Sequence, residues 1–206
     1  MILLTPPMIA LYKGTSPISR VIRCFHRSPY SHASFVSGCG LEYEAWKGGV
    51  RTGAFGAAHT PGTEVDLYLV AGMTGERARL ITAFLKAKEG KPYDYWGVVK
   101  FITRRKETPS GQDRWFCSEL VFSALRAAGI ELLMRIPAYQ VYPGMLAYSP
   151  LLTLRETIRI GKPGPSQQWP QHVNCGCITC AATTAVQPRG GLWDSDRPET
   201  GAKGVR

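Results

Sequence analysis

From residue 8 to about residue 161 the chain alternates short apolar stretches with polar breaks, and the hydrophobic period switches between two and 3.6. Residues 8–12 (MIALY) suit a short strand. Ser16 then offers a helix N-cap and Pro17 a first helical position, after which Ile18, Val21, Ile22 and Phe25 recur on one helical face. Residues 33–37 and 41–46 read as two strands joined by a turn at Ser37–Gly40, because Gly38 and Gly40 supply turn conformations. A further strand is predicted over 65–71 (VDLYLVA). Thr74 to Glu89 predicts a helix with Ala78, Ile81 and Leu85 on its inner stripe and Gly90 as its stop. A second helix runs from about Cys117 to Ala128 and stops at Gly129, with Cys117, Leu120, Val121, Ala124 and Ala128 as its stripe. The pattern predicts a small α+β domain.

Near residue 161 the periodicity ends. Residues 162–206 are rich in Pro, Gly, Ser and Thr and read as an irregular C-terminal extension, so the chain divides into 1–161 and 162–206. No repeat recurs at solenoid periods. The chain of 206 residues, 44% hydrophobic and 10% aromatic, is long enough for a real core. No apolar run approaches the ~20 residues that span a bilayer. The opening MILLTPPMIALYKG lacks a basic start and is interrupted by Pro6 and Pro7, so no signal peptide is expected and a cytoplasmic location follows.

A formal charge of +10 is spread along both parts. The tight run Arg104, Arg105, Lys106 is too short for a nucleic-acid arm, so no nucleic-acid partner is expected. A solvated basic surface, or attraction to anionic wall or lipid polymers, accounts for the charge. The cysteines at 24, 39, 117, 175, 177 and 180 are few and unevenly spaced, unlike a disulfide framework.

Candidate chemistry gathers at three places. Cys117 opens a helix, where unpaired N–H groups and the macrodipole favour a thiolate; a small buried hydrophobe is the plainer reading. His32 stands at the entry to a strand, where a structural or exposed histidine is the plainer reading. Glu42 and Glu44 alternate with apolar residues on the next strand, and a hairpin lets a carboxylate on the second strand reach an imidazole on the first. Together these are a nucleophile, a base and an orienting acid. In the extension, His172, Cys175, Cys177 and Cys180 have the residue types of a zinc site, but the central C-x-C differs from the usual C-x2-C, and free thiols are the alternative.

The ordered series PYSHASFV, YEAW, GKPYDYWG and WFCSELVFSAL resembles the circularly permuted branch of the NlpC/P60 papain-like superfamily, in its YiiX/YaeF-type amidases and peptidases. His32 precedes Cys117 by 85 residues, the order that permutation requires. IALYKGTSPISRVIRCF and YPGMLAYSPLL extend the resemblance to roughly residues 8–155. It implies an antiparallel sheet packed on a helix that carries the nucleophile Cys117, with His32 as base and Glu44 as third polar group, Glu42 being the fallback. Glu44 lies farther from the Gly38–Gly40 turn, back toward the level of His32. Tyr93 or Tyr95 of the KPYDYWG stretch would line the cleft and offer an oxyanion donor, although the Cys117 amide at the helix start suits that role better. The implied activity is cysteine-dependent amide or peptide hydrolysis through a thioester, on cell-wall-type peptides such as peptidoglycan fragments. No cofactor is required, and the resemblance suggests a bacterial or phage-encoded chain. Acyl transfer to a lipid uses the same thioester and stays an alternative, as does a non-catalytic binding or assembly module.

Overall fold

The computed structural model describes residues 6–94 and 114–161. Its core is a six-stranded antiparallel sheet in the order β4-β3-β2-β1-β5-β6. The strands are β1 (Met8–Lys13), β2 (His32–Val36), β3 (Leu41–Trp46), β4 (Gly49–Ala54), β5 (Glu64–Val70) and β6 (Leu152–Arg159). The helices are α1 (Pro17–His26), α2 (Gly75–Ala87), α3 (Cys117–Ala127) and the short α4 (Pro143–Leu146).

Period-two alternation gives the sheet two faces. Ile9, Leu11, Ala33, Phe35, Tyr43 and Ala45 pack with Ile81 and Leu85 of α2 and Leu120, Val121 and Ala124 of α3 in the main core. Met8, Ala10, Tyr12, Val36, Val65 and Leu67 point the other way into a second, smaller cluster, against which Phe55, Ile158 and Ile160 lean. Each fully buried aliphatic or aromatic side chain contributes on the order of 1.5–3 kcal/mol, so the helix-covered face dominates stability.

The local signals explain most boundaries. Ser16 caps α1 by accepting from the Ser19 amide, Pro17 occupies the first turn, and Thr74 caps α2 by accepting from the Arg77 amide. Gly90 and Gly129 follow α2 and α3 with φ of 79° and 73°, left-handed conformations that stop a helix cheaply only at glycine.

Three features differ from the sequence expectation. The stripe Ile18, Val21, Ile22, Phe25 is not the buried side of α1: Ile18 and Val21 are exposed, and Ser19 is the buried residue. At Gly14 an added Cβ would meet Ser19 Oγ at 2.5 Å, so α1 approaches the loop too closely for a large residue there. Strands β4 and β6 also went unnamed. β4 (GVRTGA) has little apolar alternation and forms by pairing along all of β3, while β6 is a mostly exposed edge strand held by β5.

Candidate active site

α3 starts at Cys117 after an extended approach through Trp115 and Phe116, and the N-cap Phe116 offers no side-chain cap. The first-turn amides therefore remain available to the sulfur. Cys117 is hydrogen-bonded to His32 and accepts from the backbone amides of Ala33 and Ser118. Ser118 anchors the same turn by donating its hydroxyl to the Val141 carbonyl at 2.6 Å. Helix start and strand start thus meet at one point, with Cys117 and His32 both buried.

His32 lies at the beginning of β2, where the β2–β3 register is maintained only at Phe35↔Tyr43 and Val36↔Glu42. Toward His32 the β2–β3 ladder gives no further pair among the described residues. Glu44 is on the same face as Glu42, two residues along. The His32 Nε2–H donates to Glu44 Oε2 at 2.6 Å. With Nε2 engaged by Glu44, the bond to Cys117 falls to the other ring nitrogen, Nδ1. On β4, Arg51 stands directly across from Glu44 and forks onto Oε1, with Nε at 3.0 Å and Nη2 at 2.5 Å.

The electrostatics follow from this chain of contacts. Burial alone would push the His32 imidazolium down, but the Cys117 sulfur and Glu44 outweigh it and raise the ring from 6.5 to about 10. Burial would raise the Cys117 thiol, yet the His32 charge, its hydrogen bond and the two amides hold it below its ordinary value. Burial likewise opposes ionisation of Glu44, but His32 and His59 hold its carboxyl well below the usual carboxylate range. The arrangement favours a thiolate–imidazolium pair steadied by an ionised carboxylate.

Of the residues singled out from the sequence, Cys117, His32 and Glu44 converge. Glu42 is buried on the same face but holds other partners: Tyr12 Oη donates to it, Ser34 Oγ donates at 2.5 Å, and the Gly56 amide donates at 2.8 Å. Tyr93 bridges to Trp115 and lines the small recess beside the sulfur, together with Ile22, Phe116, Tyr142 and Pro143. His26 closes that recess and stacks on Tyr142, ring centroids 4.1 Å apart. Tyr95, His172, Cys175, Cys177 and Cys180 lie outside the described residues.

His59, Arg51, Tyr12 and Trp46 were not anticipated. The loop after β4 carries His59 onto the sheet, and Gly56 sets its path: φ is +74°, its amide binds Glu42, and an added Cβ would meet Ile160 Cδ1 at 2.7 Å. His59 then stacks on Tyr12 at 3.8 Å and donates from Nε2 to Glu44 Oε2 at 3.1 Å, with its side chain 4% exposed. Trp46 packs edge-on against His32 at 4.5 Å and lies 5.0 Å from His59. A lone histidine in GAFGAAHTPG carries no periodic signal; position 12 was legible only as one face of a strand. His32, Glu44 and His59 each offer a ligand atom, all within 4.8 Å of one another, so these donors could hold a metal ion where the sequence reading expected no cofactor.

No family model matches the chain, and no curated protein matches it in sequence. Among solved structures it is similar to the metalloprotein YiiX of Escherichia coli O157:H7, assigned to DUF1105, with a TM-score of 0.55 and 22% identity, over 78% of this chain and 99% of that one. The fold is therefore YiiX-like. Among the described residues, no helix is long and apolar enough to cross a membrane.

Proposed function

We propose that this chain is a cysteine-dependent amide or peptide hydrolase of the permuted NlpC/P60 type, with Cys117 as nucleophile, His32 as acid and base, and Glu44 as orienter. The observation that carries the reading is the continuous link from the Cys117 sulfur at a helix start through both nitrogens of His32 to buried, ionised Glu44. In the first step the thiolate attacks the amide carbon, the C–S bond forms, and the His32 Nδ1–H protonates the departing amine as the C–N bond breaks. In the second step neutral His32 takes a proton from water, the C–O bond forms as the C–S bond breaks, the acid product is released and the Cys117 thiolate is restored beside the His32 imidazolium. The Cys117 amide, first of α3, is placed to donate to the oxyanion. Tyr93 lines the recess wall. No cofactor enters these steps. The largely apolar and aromatic recess suits an uncharged group of the substrate.

The test is mass spectrometry of muropeptides and model amides incubated with wild type and with Cys117→Ala. A product mass with wild type alone supports the hydrolase. A product carrying an alcohol or amine acceptor supports acyl transfer in its place, and no product from either protein supports a binding module.

A further inference from the structure

The mechanism above uses one edge of the Glu44 carboxylate and leaves unexplained why a second buried imidazole is brought to the same oxygen. His59 makes no contact with Cys117 that the thioester chemistry needs. Its Nε2 and that of His32 both point at Glu44 Oε2, at 3.1 and 2.6 Å. Two imidazole nitrogens and a carboxylate oxygen are the donor set that borderline divalent metals prefer, whereas magnesium and calcium favour all-oxygen cages.

We propose that His32 Nε2, His59 Nε2 and Glu44 Oε2 form a binding site for one zinc-like divalent ion. Tetrahedral zinc with ligands at about 2.0–2.1 Å holds its donors roughly 3.3 Å apart, so these donors, all within 4.8 Å, need pairwise adjustments of about 1.5 Å at most. The rings are already fixed in orientation, His59 by the stack on Tyr12 and both imidazoles by Trp46. Glu42 Oε1 lies 3.9 Å from His59 Nε2, a further carboxylate beside the donor set. Arg51 crosses Glu44 Oε1 rather than Oε2 and is 39% exposed, so it can swing outward as the ion enters. Loading exchanges the His32 Nε2 proton for a metal–nitrogen bond and releases it, and His59 presents an unprotonated Nε2 to the ion. Because His32 touches Cys117 through its other nitrogen, the ion and the thiol share one ring. Loading therefore replaces the His32–Glu44 hydrogen bond that orients the base. The inference stands on the donor geometry and does not depend on the hydrolase reading.

The test uses the full chain, stripped with chelator and reduced, then titrated with Zn2+ by calorimetry and with Co2+ by absorption. One equivalent of Co2+ is expected, with visible d–d bands of nitrogen and oxygen donors and no thiolate charge-transfer band. It should persist in a variant with Cys175, Cys177 and Cys180 changed to Ser. It should weaken in His59→Ala, and in the near-isosteric His59→Gln should Ala fail to fold, by more than the about 10–100-fold that loss of an outer partner costs. Absence of stoichiometric binding overturns the proposal. So does binding that disappears with the three tail cysteines, or affinity unchanged in either His59 variant.

Discussion

Replacing Glu44 by Gln removes one charge from the centre of the buried network while keeping shape and a neutral acceptor. The carboxylate is almost fully enclosed and lies 2.6 Å from His32 Nε2, so little solvent screens the pair. Unit charges about 4 Å apart interact by about 4 kcal/mol at an effective dielectric of 20, equivalent to roughly three pH units at 1.36 kcal/mol each. The Cys117 sulfur supplies the larger favourable share of the rise to about 10, so Glu44 accounts for the smaller part. A fall of about 1–2 pH units in the imidazolium is expected. The thiolate–imidazolium pair exists between the lowered thiol and the raised imidazolium, and losing Glu44 weakens the imidazolium. The variant should therefore narrow this window from its alkaline side: the alkaline limb moves down, while on the acidic side His32 stays charged in both proteins and that limb does not rise. The assay is the rate of Cys117 alkylation by iodoacetamide against pH in metal-free protein, followed by peptide mapping to exclude Cys24 and Cys39. Turnover should drop by about 10²–10⁴-fold by analogy with other triads. Glu42→Gln should leave both limbs in place, since Tyr12, Ser34 and Gly56 hold that carboxylate away from His32. A narrowed window in Glu42→Gln and an unchanged one in Glu44→Gln would refute the assignment.

Tyr12→Phe keeps the ring that stacks on His59 but deprives buried Glu42 of a donor, so unfolding in urea should show a loss of about 1–3 kcal/mol; an unchanged midpoint would mean that the hydroxyl is dispensable. Truncation after residue 161 should leave a cooperative thermal melt. Truncation after 151 removes β6, bares the β5 edge from Glu64 to Val70, and should lower the melting temperature or cause aggregation.

Much of the architecture was legible in local pattern. The cap at Ser16, the stripes of α2 and α3, and the alternation of β1, β2, β3 and β5 depend on neighbours within a few residues, whose identity the chain itself supplies. The same locality placed a cysteine at a helix start and two glutamates on one strand face. The preference for Glu44 over Glu42 needed only the distance from the turn, and in the fold it is Glu44 Oε2 that lies 2.6 Å from His32 Nε2.

Contacts between distant segments decided the rest. Which side of α1 is buried depends on how near Gly14 lies, and that closeness selects Ser19 over the larger Ile18 and Val21. β4 becomes a strand because β3 offers it a ladder, not because its own residues alternate. His59 reaches Glu44 only because Gly56 turns the loop with a positive φ, beneath Ile160 and onto Glu42. A one-dimensional pattern records which side chains can be buried together, but a loop histidine with no periodicity gains its partners from the tertiary fold alone.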